Sequence, residues 1–271
     1  MKSTDKSSPR RPVLRYHGGK WKLAKWIVSM FPEHRTYVEP FGGAASVLLR
    51  KPRSYAEVYN DIDDDIVNVF LQVRDHGEEL KRLLELTPFG RTEFQNAHAP
   101  TDIPIERARR IIVRSFMGIG TDSIRRQSNG FRGDSKRNCA ADWVSYTEAM
   151  DNLIKRMRGV IIEKRDWKKI IEAHDSPETL FYVDPPYVGS TRSSTHGYSF
   201  EMTDEDHREL AVALKSVEGK VVLSGYPSEL YEELYQDWHR EESSHHAFFA
   251  KDTTEVLWMN FDPHVSQLKM L

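Results

Sequence analysis

The sequence predicts an α/β fold built on a doubly wound, mostly parallel sheet that one inserted segment interrupts. Three observations predict it. Short apolar runs ending in acids, glycine or proline alternate with stretches whose apolar residues recur at helical spacing, the order that builds a parallel sheet. The length, 271 residues, suits one large domain, or one domain plus a small insert. That alternation also lapses between residues 88 and 140 and then resumes.

Each element has a local reason. A polar tail covers residues 1–12, and LRYHGGKWKLAKWIVSMF (14–31) runs from a Gly-Gly turn into a helix on which Trp21 and Trp26 belong to the core face. TYVEPF (36–41) reads as a buried strand ended by Pro40, GGAASVLLR as a glycine turn entering a helix, and YAEVYND (55–61) as a second strand ending in acids. Ile66, Val69, Phe70, Val73, Leu80, Leu83 and Leu84 follow at helical spacing, which predicts one helix to about residue 86. Turn-formers dominate 88–104 and 119–138, with the helix IERARRIIVRSF between them. The strand–helix order returns with GVIIEKRDW (159–167), TLFYVDPPY (179–187), a helix from Asp204 capped by Thr203, KVVLSG (220–225), the helix SELYEELYQDW and the strand TEVLWMNF (254–261). Residues 13–87 and 141–271 thus form the main domain and 88–140 the insert.

Composition excludes several classes. Hydrophobic residues at 39% and charged residues at 30% are those of an ordinary globular chain, not a disordered one. The longest apolar runs fall far short of the roughly 20 residues that span a bilayer, and the polar N-terminus lacks the apolar stretch of a secretory signal. Cys139 is the only cysteine, so no intrachain disulfide forms and a cytoplasmic location is expected. No His/Cys spacing suggests a zinc finger, and no metal is expected; the adjacent His245 and His246 read as solvated loop residues and His207 as structural. The net charge of −2 hides an uneven distribution: residues 107–137 hold nine basic side chains against two acidic ones. A focused positive segment suits a polyanion.

Two constellations carry chemistry. In open α/β sheets, ligands bind beyond the carboxyl ends of the strands. VEPFGGAAS (38–46) puts a glycine turn there, where a ligand can approach the backbone, and YNDID (59–63) follows with Asp61, an acid able to hold both hydroxyls of a ribose. An ordinary strand-to-helix turn would also use such glycines. FYVDPPYVG (181–189) is more specific. Its strand delivers an acid, two prolines without N–H donors and an aromatic face to the same edge. Carboxylate and carbonyl acceptors beside a flat ring suit the exocyclic amine of a planar base.

With these motifs in this order, the chain resembles the Dam-type, S-adenosylmethionine-dependent DNA adenine methyltransferases over about residues 13–261. YHGGK (16–20) is similar to that family's N-terminal cofactor motif, VEPFGGAASVLL to its cofactor loop, NDID to its ribose-binding acid, RDW (165–167) to its third motif and DPPY (184–187) to its catalytic tetrapeptide. The resemblance implies a Rossmann-like methyltransferase sheet with an inserted, mostly helical target-recognition subdomain. It implies methyl transfer from S-adenosylmethionine to the N6 amino group of adenine in double-stranded DNA, by base flipping and direct displacement. It assigns Tyr16, Lys20, Phe41, Asp61, Asp166 and Asp184 to the cofactor, and Asp184, Pro185 and Tyr187 to catalysis. Arg114, Arg125, Arg126, Arg132, Lys136 and Arg137 of the insert become the DNA-binding set, and Tyr198 and Phe200 could shape the substrate pocket. Of the GFNVPFG-like stretch common in GATC readers, NGFRGDSKR (129–137) keeps only Gly-Phe, so GATC specificity is not carried over. The alternatives are another amine acceptor (cytosine N4, RNA or a protein amide) or a noncatalytic DNA-binding protein on the same fold. A monomer is expected, with a dimer as the alternative.

Overall fold

Apolar residues on both sides of a strand allow it to lie inside a sheet covered on both faces. Thr179–Val183 is buried along its whole length, and this strand is the middle one of the sheet. The computed structural model describes residues 9–120, 124, 130–134, 136–191, 200–245 and 253–267. The strands are β1 (Thr36–Glu39), β2 (Ala56–Asn60), β3 (Ile161–Glu163), β4 (Thr179–Val183), β5 (Lys220–Gly225), β6 (His239–His245) and β7 (Thr253–Met259). They form a seven-stranded sheet in the order β3-β2-β1-β4-β5-β7-β6. β1 pairs in parallel with β2 and with β4, and β4 in parallel with β5. β7 runs antiparallel to both β5 and β6.

The sheet is therefore α/β and mixed, with an antiparallel end that the sequence pattern does not reveal. β6 reads HREESSH and has no apolar alternation to announce it. Charge on an outermost strand is what keeps such a strand from pairing with other chains. The same strand includes His245, expected in a loop; His246 lies outside the described residues.

The helices are α1 (Ala24–Ser29), α2 (Ser46–Arg50), α3 (Asp64–Asp75), α4 (Gly77–Glu85), α5 (Arg91–Asn96), α6 (Pro104–Met117), α7 (Cys139–Glu148), α8 (Met150–Met157), α9 (Trp167–His174), α10 (Asp204–Ser216), α11 (Glu229–Leu234) and α12 (Pro263–Gln267). Among the described residues no helix is long and apolar enough to cross a membrane. The single helix expected over 66–86 is two. It breaks at His76, whose φ of −128° leaves the helical range, and the next residue, Gly77, packs so closely on α8 that a Cβ would lie 2.5 Å from the Ile154 side chain. Trp21 precedes α1 rather than lying on it, half-buried with the Arg50 guanidinium 4.9 Å from its ring. Thr203 caps α10 as expected: it accepts from the Asp206 backbone N–H while Asp206 reaches back to the Thr203 N–H, a capping box.

Two compact units divide the chain. The first comprises Met1–Ala24, Gly43–Lys51 and Asp63–Ile162; the second comprises Lys25–Gly42, Pro52–Ile62 and Glu163–Leu271. In the second, Val38, Val58, Phe181, Val183, Val221, Leu223 and Trp258 of the sheet pack with Ile170 and Ile171 of α9, Leu210 and Leu214 of α10, and Tyr231 of α11. In the first, Ala108, Ile111, Ile112 and Phe116 form the buried stripe of α6. The Tyr146 ring of α7 lies 4.1 Å from that of Phe116, its hydroxyl donates to the Val13 carbonyl, and Trp143 donates to the Thr87 carbonyl.

An ion-pair knot ties α6 to α5 inside the first unit. The Arg109 guanidinium, mostly buried, donates to Glu106, Glu93 and Thr87. Hydrogen bonds from Arg109 and then Arg110 hold the Glu106 carboxyl below its ordinary range, against the opposing effect of burial. A carboxyl depressed in the folded state adds stability that is complete above the unfolded value, about pH 4.3, and is lost as pH falls through the folded value. Arg109→Ala is expected to cost about 1–3 kcal/mol at pH 7. In urea titrations the gap between wild type and variant should narrow steadily below about pH 4.5, as the carboxylate that Arg109 serves is protonated. A gap that stays constant down to pH 3 contradicts this origin.

Candidate active site

The strand order reverses at β1, which has β2 on one side and β4 on the other. The carboxyl edge at such a switch point is where open α/β sheets bind ligands. Four segments of the second unit reach that edge: Phe41 after β1, Asp61 after β2, Arg165–Trp167 after β3 and Asp184–Tyr187 after β4.

Asn60 stitches three of these segments together. Its amide donates to the Pro40 and Arg165 carbonyls at 2.8 and 3.0 Å and accepts from the Arg165 N–H at 2.8 Å. Its own carbonyl accepts from the Gly42 N–H at 2.7 Å. Such a fully used buried amide fixes the loops around Phe41 and Asp61. The aromatic faces of Phe41 and Trp167 lie 6.1 Å apart at 32°. Asp61 is half-buried at the end of β2. Asp166 is exposed, and its carboxylate caps α9 by accepting from the Lys168 N–H at 2.9 Å. Gly42 is glycine for a reason internal to the fold: a Cβ would lie 2.1 Å from the Tyr59 ring.

The tetrapeptide is held from behind. The parallel register aligns Val183 with Leu223, so Asp184 falls level with Ser224. Ser224 donates to Asp184 Oδ1 at 2.9 Å, and its Oγ lies 3.0 Å from the Tyr182 hydroxyl. A carboxylate can only accept, so Ser224 spends its one proton there and Tyr182 donates to Ser224. Burial first, and then the nearby Asp184 charge, raise the Tyr182 phenol well above its ordinary value, which keeps that donor protonated. Asp184 is half-buried, Pro185 buried and Pro186 half-buried. Tyr187 is 4% exposed; its hydroxyl donates to Glu255, and its ring meets Tyr226 edge-on with centroids 4.6 Å apart.

The first unit carries the YHGGK segment. Tyr16 is half-buried, and its ring covers Gly43, whose φ of +46° favours glycine and where a Cβ would lie 3.3 Å from that ring. Lys20 is buried and donates to the Gly18 carbonyl at 2.8 Å. The basic segment is less bare than its linear count suggests. Arg107 pairs with Asp64 and Asp65, Arg109 and Arg110 with Glu106, and Arg132 with Asp142. Burial lowers the Arg114 guanidinium value, while Asp65 and Asp63 oppose the shift. Lys136 and Arg137 are exposed; Arg125 and Arg126 lie outside the described residues, as does Tyr198. Phe200 is exposed.

Elsewhere in the second unit His207 is fully buried, with Nδ1 3.0 Å from the Tyr231 hydroxyl, a packing role as expected. His239, Glu241 and His264 bring one ligand-type atom each to within 4.8 Å of one another. Both imidazoles lie 2.9 Å from the same Glu241 oxygen, so the three groups satisfy one another.

Asn60, Ser224 and Glu255 are the site residues that sequence reasoning passes over. The first two had a visible signal, since Asn60 immediately precedes the ribose-type acid and Ser224 ends the strand beside the tetrapeptide.

An acid, two prolines and an aromatic at the carboxyl edge of a switch-point strand define a class, the amino-group methyltransferases. Residues 16–247 match the model of the D12 class N6 adenine-specific DNA methyltransferases, and the chain belongs to that family. It is a DNA adenine methyltransferase, and the other acceptors and the noncatalytic alternative fall away. The chain is 29% identical over 255 residues to the Type II methyltransferase M1.LlaDCHI of Lactococcus lactis subsp. cremoris, covering 84% of this chain and 85% of that one. It is 23% identical over 248 residues to the DNA adenine methylase of Haemophilus influenzae, covering 83% and 82%. Among solved structures, the rRNA methyltransferase aviRa from Streptomyces viridochromogenes aligns with a TM-score of 0.42 at 12% identity, over 98% of this chain and 96% of that one.

Proposed function

We propose that the chain methylates adenine N6 in double-stranded DNA with S-adenosylmethionine as methyl donor, on a target base flipped out of the duplex, by direct displacement. The observation that carries this reading is Asp184, aimed by Ser224 at the carboxyl end of β4 beside the Tyr187 ring. When bound, the cofactor supplies a methyl group on a positively charged sulfur. The donor set fits that group: Asp61 offers a carboxylate for two ribose hydroxyls, and Phe41 with Trp167 an apolar aromatic surface. Tyr16, Lys20 and Asp166 complete the cofactor set, Asp166 with the oxygen that its capping bond leaves over.

Asp184 and the Pro185 carbonyl accept from the target amine and orient its nitrogen. As positive charge grows on that nitrogen, the carboxylate stabilises it without reorganising, because Ser224 and Tyr182 already hold it in place. Tyr187 supplies the face against which the flipped ring rests. Flipping is required, since the amino group inside a stacked duplex is out of reach. Lys136 and Arg137, with Arg125 and Arg126, bind phosphates of the DNA, while Arg114 and Arg132 shape the segment that presents them. Residues 88–140 serve as the target-recognition subdomain, and 13–87 and 141–271 as the catalytic domain. The likeness to a Type II methyltransferase favours a modification role beside a restriction enzyme.

Asp61→Ala tests the cofactor assignment. Losing charge-assisted hydrogen bonds to a ribose should weaken S-adenosylmethionine binding about 10- to 100-fold in calorimetric titration, leaving the urea midpoint near that of wild type. Unchanged affinity removes Asp61 from the site.

A further inference from the structure

Glu255 is a buried carboxyl without a part in the chemistry above, 5% exposed on a strand that runs against the others. The register pairs Val256 with Gly225, which carries Glu255 to the same edge as Asp184 and Tyr187. There it accepts from the Tyr187 hydroxyl, across 68 residues of sequence. A carboxyl withdrawn from water costs several kcal/mol unless its partners compensate, so an ordinary packing site would hold an apolar residue.

The contact fixes what a stacking surface needs fixed. A tyrosine ring has two rotatable angles. Anchoring the hydroxyl restrains the swing of the ring about the first angle but leaves it free to spin about its own long axis. The edge-on contact with Tyr226, at 74° between planes, blocks that spin. The carboxyl oxygen also draws on the phenol proton and so enriches the ring in electron density. A richer face attracts positive charge more strongly.

We infer that Glu255 is a positioning residue for methyl transfer: it sets and polarises the Tyr187 ring so that the face met by the target adenine favours the charge developing on N6. This rests on the reading of the tetrapeptide given above. It adds the antiparallel strand β7 to the parts of the sheet that act on the target base.

The test is a double-mutant cycle with Tyr187→Phe, read in steady-state methylation of plasmid DNA and in calorimetric binding of S-adenosylmethionine. Glu255→Ala should lower kcat roughly tenfold or more, with cofactor affinity changed less than about twofold. Glu255→Gln keeps an acceptor for the phenol and should recover most of the lost rate. In the Tyr187→Phe background, where the phenol is gone, Glu255→Ala should add little. An undiminished effect in that background, or an unchanged kcat in the single variant, overturns the inference. Should Glu255→Ala fail to bind cofactor, Tyr187→Phe breaks the same bond from the other side and must by itself lower kcat without lowering affinity; full activity there overturns it equally. Asp184→Ala is run in parallel. Its retained activity would sink the reading of the tetrapeptide, whereas an inactive Asp184 variant beside a fully active Glu255 variant sinks only the positioning role.

Discussion

Asp184→Ala is expected to lower kcat for DNA methylation by a hundred- to a thousandfold, about 3–4 kcal/mol of transition-state stabilisation. Removing the carboxylate takes away an acceptor for the amine and the negative charge that answers the positive charge forming on it. The structure adds a second, graded expectation. Ser224 and Tyr182 act on substrate only through Asp184, because the proton chain runs from Tyr182 to Ser224 to Asp184 Oδ1. Ser224→Ala should therefore reproduce only a part of the loss, roughly tenfold. Once Asp184 is absent it should change nothing more. A Ser224→Ala effect equal in size with and without Asp184 would mean that the serine works elsewhere. Rates are read with DNA and cofactor saturating, so that kcat is separated from binding.

The largest expected effect on stability comes from Trp258. It is fully buried in β7, with the rings of Tyr231 and Tyr235 at 5.2 and 6.3 Å, and faces the cluster that α10 and α11 cover. Trp258→Ala should cost about 3–5 kcal/mol, the usual price of truncating a buried aromatic, which is a large share of a stability of about 5–15 kcal/mol. The indole Nε1 is buried without a hydrogen-bond partner among the described residues. Trp258→Phe removes that unsatisfied donor along with part of the ring, so its cost should be well under half that of alanine. Urea unfolding followed by circular dichroism separates the two. Equal losses for alanine and phenylalanine would mean that the indole nitrogen is satisfied in solution.

Which features the sequence disclosed follows from how local their causes are. β4 and β5 are announced by apolar runs, β1 and β2 by short runs rich in valine and tyrosine that end at Pro40 and Asp61, and α10 by a capping residue and three acids within one turn. Those signals act over a few residues. β6 escaped because an edge strand needs no apolar pattern when its partner lies on one side only. The split between α3 and α4 at His76 escaped because the helical spacing of apolar residues runs on across it. The site follows the same division. Asp61 and Asp184–Tyr187 lie in compact motifs, whereas Glu255 meets Tyr187 only once β7 has paired with β5. The charge count over residues 107–137 misled for a related reason. Asp64 and Asp65, which pair with Arg107, and Asp142, which pairs with Arg132, lie outside that window.

The measurement that bears most directly on the central claim uses methyl-labelled S-adenosylmethionine, unmethylated duplex DNA and two proteins, wild type and Asp184→Ala. After digestion to nucleosides, mass spectrometry identifies the labelled product. Label in N6-methyl-2′-deoxyadenosine is expected with the wild type, and almost none with the variant. Label in another nucleoside, or equal labelling by the two proteins, would contradict it.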